Sequence, residues 1–389
     1  MTALFQKIQQ QITESGGWIG FDAFMQLALY EPGQGYYCGG GQPFGREGDF
    51  ETAPMLGPWL AESIWQWSAC LRGHAPFKIR EFGGGRGDLA AALLKAGSHQ
   101  DWQPLEIEMI ELSAGSQALQ RERVGNHESV TWHSELLPGF SGLVLANELL
   151  DALPVKSFEW QGGDTVLEWG VRCASPGSAQ GLFQWASRPA SQGLRQHVLT
   201  RAKAAASRGL PWPAGYRGEA CFWAAPWLQS LSDSMVSGAV LLIDYGFCES
   251  ELDHPGRHLG TLCAHARHRR IDSFDELLER AGQQDLTAHV NFSALADQAQ
   301  RAGFHVDGFA TQARFLMNAG VLELAQQAFA NAQDERQRIM ISQSLQKLLT
   351  ESEMGELFKV MLLTKGLPQQ VRSTLQDQGF REGNRLASL

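Results

Sequence analysis

No stretch of this 389-residue chain is apolar for long enough to cross a bilayer. Its six cysteines, Cys38, Cys70, Cys173, Cys221, Cys248 and Cys263, lie far apart and form no CxxC pair, so neither a zinc site nor a disulfide framework is indicated. Positive charge is also in short supply. Lys and Arg number 32 against 42 Asp and Glu, a formal net charge of −10, which disfavours a general nucleic-acid binder and favours a substrate or partner carrying positive charge. The opening segment MTALFQKIQQQITESGG lacks an apolar signal core and contains no arginine, which argues against a secretory signal and a transit peptide, so a cytoplasmic location is expected. Internal repeats and low-complexity segments are absent. One basic cluster, HARHRR at residues 265–270, reads best as a solvated loop; His265 and His268 lack a third ligand nearby, so no metal is assigned.

What is present is a chain with many scattered glycines and a change of rhythm near residue 77. Before that point the apolar positions Phe5, Ile8 and Ile12, then Phe21, Phe24, Met25, Leu27 and Leu29, follow helical spacing. A Gly- and Pro-rich loop, YEPGQGYYCGGGQPFGREGDF, interrupts them, and long loops of this kind are often binding segments. From FKIREFG onward, strands and helices alternate through LEIEMIELS and GLVLANELL, the mark of parallel βαβ units. Residues 156–235 show many Trp, Gly and Pro and no clear period, and read as an insertion. GAVLLIDYGF then returns as a buried strand, and VDGFATQARFL and FKVMLLTKG are expected to pair antiparallel at the sheet edge. Four segments result: 1–75, a helical cover with a lid loop; 76–155, a βαβ half; 156–235, the insertion; and 236–389, the remaining strands with a helical substrate-side stretch.

The stretch IREFGGGRGDLAAALL joins an apolar strand to a helix through glycines, a turn that lets a ligand approach the backbone and presents unpaired helix N–H groups to it. Read as the dinucleotide fingerprint GxGxxG from Gly83, it requires a glycine where Asp88 stands. Read as ExGxGxG, through Glu81, Gly83, Gly85 and Gly87, it resembles the first motif of class I S-adenosylmethionine (SAM) methyltransferases. Glu111, at the end of the next strand, stands at the spacing of an acid that accepts from a ribose diol.

The motifs FMQLALYEPGQGYY, GREGDFETAP, EFGGGRGDL, LANELLDALPV, LIDYG, QDLTAHVNF, TQARFL and EMGELFKVM, spread over nearly the whole chain, resemble those of the MidA/NDUFAF7 family of SAM-dependent methyltransferases. The resemblance implies an α/β class I methyltransferase (Rossmann-like) sheet with a helical N-terminal cover and an insertion, and SAM as cofactor. For the mitochondrial branch it also implies dimethylation of an arginine in a subunit of respiratory complex I, hence a protein substrate. The chain departs from the family pattern at Gly84 (usually Pro), Asp88 (Thr), Met55 (Glu) and Asn291 (Asp), and the last two remove candidate acids.

Methyl transfer is an in-line displacement that depends on positioning and exclusion of water, and a guanidinium nucleophile also needs carboxylates to orient it and help remove a proton. ANELLDALP, at a strand end, supplies Asn147, Glu148 and Asp151. Glu148 is expected to orient the substrate and Asn147 to hydrogen-bond cofactor or substrate; Asp151 reads equally as a catalytic acid or a helix N-cap. Asp244 of LIDYG also stands at a strand end, and His289 is a candidate proton acceptor or a structural histidine. Asp49 and Thr52 of GDFETAP are expected to close over the cofactor, with Tyr36 and Tyr37 read chiefly as core. The alternatives are a catalytically idle SAM-binding assembly factor and, behind it, a NAD-dependent oxidoreductase.

Overall fold

The structure, a computed structural model, describes residues 2–39, 52–72, 77–98, 105–125, 127–174, 182–266 and 269–389. The chain forms two compact units, one built from Met1–Phe50, Asp151–Pro226 and Phe247–Asn291, the other from Glu51–Leu150, Trp227–Gly246 and Phe292–Leu389.

The second unit holds a path of seven strands: β1 (Phe77–Phe82), β2 (Leu105–Ile110), β3 (Val130–His133), β4 (Phe140–Asn147), β5 (Met235–Phe247), β6 (His305–Thr311) and β7 (Phe358–Lys365). Their spatial order is β3-β2-β1-β4-β5-β7-β6. The first five pair in parallel, while β7 runs antiparallel to both β5 and β6. This is the sheet expected of a class I methyltransferase, including the late antiparallel pair. Parallel strands are covered on both faces and so read as continuous apolar runs. Ala239–Ile243 of β5 is accordingly buried throughout, and Val360–Leu363 of the antiparallel β7, set between two strands, is buried as well. Helices α1 (Asp88–Ser98) and α2 (Ala114–Val124) carry the β1–β2 and β2–β3 crossovers. Because the chain leaves β1 towards β2 and returns on the other side as β4, the order reverses between β1 and β4, and ligands bind outside the carboxyl ends of strands at such a point.

The first unit contains the expected N-terminal helices, Ala3–Glu14 and Phe21–Tyr30, with Phe5, Ile8, Ile12, Phe21, Phe24, Met25 and Leu29 buried. The stretch without a legible period folds as antiparallel strands: Thr165–Cys173 pairs with Ile19–Gly20, Lys156–Gly162 and Phe183–Pro189, and Lys156–Gly162 also pairs with Tyr216–Ala220. Aromatics obscured the alternation. Trp169 and Trp185 pack on Phe274, and the Arg217 guanidinium lies over the Trp169 and Phe274 rings at 4.9 and 4.8 Å, so large apolar groups occupy a face that alternation would leave polar. At the basic cluster, read as a solvated loop, Cys263–Ala266 pairs antiparallel with Arg269–Ile271, and Arg270 pairs with Asp272 at 2.7 Å; residues 267–268 lie outside the described residues.

One constraint on the main sheet is purely steric. Gly142 and Gly238 face each other across β4 and β5 with φ of 153° and 152°. A Cβ on Gly142 would lie 2.2 Å from the Lys78 carbonyl oxygen, and one on Gly238 would lie 2.0 Å from that of Gly142. Both groups in contact are backbone, which cannot turn aside as a side chain can. Gly142→Ala is therefore predicted to destabilise the protein by about 1–3 kcal/mol, measured by chemical denaturation; an unchanged midpoint would mean that the strand pair relaxes freely.

Candidate functional site

The glycine turn leaves β1 after Glu81 and Phe82. Gly83, Gly85 and Gly87 have φ of 57°, 52° and 86°, in the region where a Cβ is strained. Two tight bonds shape the turn, from the Gly85 N–H to the Gly83 carbonyl (2.8 Å) and from the Gly87 N–H to the Gly84 carbonyl (2.7 Å). Asp88, which broke the dinucleotide pattern, opens α1 and pairs with Arg123 of α2 at 2.6 Å; its charge sits favourably at a helix N-terminus.

Glu111 follows β2 and is half-buried. Its Oε1 accepts from the Ser113 N–H (2.9 Å) and its Oε2 from the Gln120 side-chain amide (3.0 Å). Burial raises its pKa, and these bonds oppose the shift. Ser113 caps α2, accepting from the Ser116 N–H, so the end of β2 is tied to the helix that follows.

At the end of β4, Glu148 is the one non-glycine with positive φ (52°) among the described residues. A strained backbone of this kind persists only where neighbouring groups hold it. Here β5 does so: the Glu148 N–H donates to the Ile243 carbonyl (2.8 Å), and the Leu150 N–H donates to Oδ2 of the buried Asp244 (2.8 Å). The Asn147 amide donates to Glu148 Oε1 at 3.0 Å. Asp244, which the sequence placed only at a strand end, is thus the residue that holds the turn carrying Glu148. The turn also reaches the glycines, since a Cβ on Gly83 would lie 3.0 Å from Leu149 Cδ1.

The structure therefore brings together Glu81, Gly83, Gly85, Gly87, Glu111, Asn147 and Glu148 at one carboxyl edge of the main sheet. Thr52 stands in the same unit, preceding the short 3-10 turn Ala53–Leu56, and its side chain makes no capping bond there. Asp49 lies outside the described residues. Asp151 and His289 belong to the other unit. The N-cap reading of Asp151 is corrected: a turn and the strand Lys156–Gly162 follow it, not a helix. Asp151 is buried, its carbonyl accepts from the Ala288 N–H, and its carboxylate lies near Tyr37. The Tyr37 hydroxyl donates to Asp285 at 2.8 Å, and burial, then Asp285 and Asp151, raise its pKa well above the ordinary value. Tyr36 packs in the core, as expected. The His289 N–H donates to Thr261 Oγ1, and its ring lies against Phe247.

Two buried oxygens at the carboxyl edge, Glu81 Oε2 and Asn147 Oδ1, have no hydrogen-bond partner among the described residues. They stand at the ends of the adjacent strands β1 and β4. Unsatisfied buried acceptors beside a glycine turn fit a ligand that brings N–H and O–H donors, as the amino acid and ribose parts of SAM do. Among the described residues no group of three or more His, Cys, Asp or Glu is placed to hold a metal.

Glu81 carries a pH signature. Burial, then the charges of Asp88 and Glu111, push its pKa up to about 8 from 4.5. The folded state therefore keeps a proton that the unfolded chain releases. Its stabilising contribution is complete below pH 4.5 and is lost as the pH rises towards 8, a change of up to about 5 kcal/mol. Glu81→Gln should flatten the stability profile over that interval in denaturant titrations of the ligand-free protein; a profile as steep as that of the wild type would place the titrating group elsewhere.

The sequence profile of the S-adenosyl-L-methionine-dependent methyltransferase family matches residues 55–310. A COG1565 superfamily member from Burkholderia thailandensis, described as a "likely methyl transferase" and solved with S-adenosyl-homocysteine bound, is 34% identical and superposes with a TM-score of 0.86, covering 100% of this chain and 96% of that one. A relative from Drosophila melanogaster, named "Protein arginine methyltransferase NDUFAF7 homolog, mitochondrial", is 27% identical over 94% of this chain and 85% of its own length. The human "Protein arginine methyltransferase NDUFAF7, mitochondrial" is 25% identical over 95% and 84%. The expected cytoplasmic location is overturned, because these relatives and those from cattle and zebrafish are all named mitochondrial. The family match also sets aside a NAD-dependent oxidoreductase. A sheet with a class I strand order, a glycine turn with orphaned acceptors beside it and a sequence match over residues 55–310 agree: the chain belongs to the MidA/NDUFAF7 family of SAM-dependent methyltransferases.

Proposed function

We propose that this methyltransferase acts on an arginine side chain of a protein, a subunit of a respiratory complex, with Glu148 as the carboxylate that orients the guanidinium. The observation that carries the reading is the backbone of Glu148, held at φ 52° by bonds from β5 at the carboxyl edge of the sheet. Strain maintained by several neighbours is spent where a side chain must point in one direction. The relatives' shared name, protein arginine methyltransferase, supports the choice of nucleophile.

Bound SAM supplies an electrophilic methyl carbon on a sulfonium sulfur. The glycine turn and Glu81 would hold its amino acid portion and Glu111 would accept from the ribose hydroxyls, with Thr52 as a further cofactor contact. Asn147 fixes the Glu148 carboxylate by its bond to Oε1. Glu148 then turns one guanidinium nitrogen towards the methyl group and shares the proton that this nitrogen sheds, a demand set by a guanidinium pKa of about 12.5 or higher. The net charge of −10 favours approach of a basic segment.

A methyl-transfer assay with labelled SAM on lysate from a deletion strain, followed by mass-spectrometric site mapping, tests the substrate class; label appearing only on residues other than arginine would overturn it. Glu148→Gln keeps size and deletes charge. Single-turnover transfer should fall about 100-fold or more while SAM affinity stays within about twofold, because the interaction grows on the way to the transition state. A parallel collapse of SAM binding would make Glu148 a cofactor ligand. Gly85→Val, which forces a β-branched residue to φ 52°, should abolish SAM binding in a protein that still folds; calorimetric titration showing wild-type affinity would sink the turn as the cofactor site.

A further inference from the structure

Gln120 has no sequence signal of function, yet it is fully buried in α2 and makes three hydrogen bonds through one carboxamide. Its Nε2 donates to the Gly85 carbonyl (3.1 Å) and to Glu111 Oε2 (3.0 Å), and its Oε1 accepts from the Trp132 indole N–H (3.0 Å). The indole is a donor only. An amide oxygen must therefore face Trp132, which leaves the NH2 group to face a carbonyl and a carboxylate, both acceptors. The amide has a single orientation that satisfies all three neighbours, and Arg121, over the Trp132 ring at 4.7 Å, packs on the indole that selects it.

We propose that Gln120 is a positioning residue of the cofactor site, one amide that fixes the glycine turn and the Glu111 carboxylate relative to each other before the nucleoside arrives. The inference rests on the reading of Glu111 as the ribose acceptor. A neutral donor suits the task, because it holds Oε2 in place without cancelling the charge that a diol is to meet. With Ser113 holding Oε1, both oxygens of Glu111 are anchored and its rotamer freedom is removed in advance of binding. The same amide reaches the peptide of Gly85, the middle glycine of the turn, so that a shift of either partner is transmitted to the other. Gln120 also fills space beneath Gly87, whose Cβ would lie 3.3 Å from the Gln120 Cα. A filler of that kind is replaceable by methionine.

The test measures S-adenosylhomocysteine binding to the full chain by calorimetry, as a function of pH, for the wild type, Gln120→Met, Glu111→Ala and the double variant. Gln120→Met keeps the volume and deletes the three bonds. The dissociation constant should rise about tenfold, as expected for the loss of one or two bonds to a charged group, and KM for SAM should rise with it while kcat at saturation stays within about twofold. Loss of a bond that lowers the Glu111 pKa should also move the acid limb of binding to higher pH. Glu81, which feels the charge of Glu111, is common to all four proteins. In the Glu111→Ala background the effect of Gln120→Met should shrink below about twofold. If Gln120→Met fails to fold, Gln120→Glu provides the second measure: it keeps the shape and the acceptor for Trp132 but sets a carboxylate against Glu111, so binding should weaken at high pH and recover as the pH falls. Wild-type affinity in Glu111→Ala would remove the ribose reading and the proposal with it. A loss in Glu111→Ala with no loss in Gln120→Met, or two losses that multiply in full, would leave the ribose reading standing and overturn the role of Gln120.

Discussion

The site hangs on a clamp between two neighbouring strands. At the end of β5 the Ile243 carbonyl holds the Glu148 N–H and the Asp244 carboxylate holds the Leu150 N–H, so the chain leaving β4 is gripped by its neighbour as it turns. A buried carboxylate accepting backbone N–H groups is among the stronger hydrogen bonds available to a protein, and Asp244 makes a second such bond, to its own neighbour Tyr245. That grip opposes the relaxation of Glu148 to an ordinary backbone conformation and so helps to set the direction of its side chain.

The other half of the site is organised differently. The glycine turn and Glu111 are joined from behind by a helix that touches no ligand in the proposed reaction, through Gln120 and the capped start at Ser113. One half therefore depends on neighbouring strands and the other on a crossover helix, and both meet where the strand order reverses between β1 and β4. The sheet supplies the rigidity that a reaction governed by alignment requires.

What the sequence revealed follows from how local each feature is. The glycine turn, the alternation of strands and helices, the buried run of β5 and the acids at Glu81, Glu111 and Glu148 were legible because each is coded within about ten residues by turn chemistry and periodicity. The antiparallel sheet between residues 156 and 220 was not, since Trp169 and Trp185 cover a face that a simple alternation would make polar. Gln120, and the role of Asp244 beyond its place at a strand end, were illegible for a further reason. Gln120 meets Gly85, 35 positions away, and Asp244 meets Leu150, 94 positions away, and a buried glutamine or aspartate has no pattern until such partners are in place. Location was misread in a different way, because the composition of the first residues says less than the company the whole chain keeps.

The insertion of β7 between β5 and β6 has a consequence for how the protein comes into being. The run Ala239–Ile243 pairs with β4 on one side and with residues 360–364 on the other, so that edge stays open, donors and acceptors exposed, until the last strand has been synthesised. More than a hundred residues leave the ribosome in between. A nascent chain thus carries a long, apolar, unpaired strand edge, the kind of surface on which chains pair with one another. Slow formation follows from the same separation, since long-range pairing must first meet the entropy of closing so large a loop.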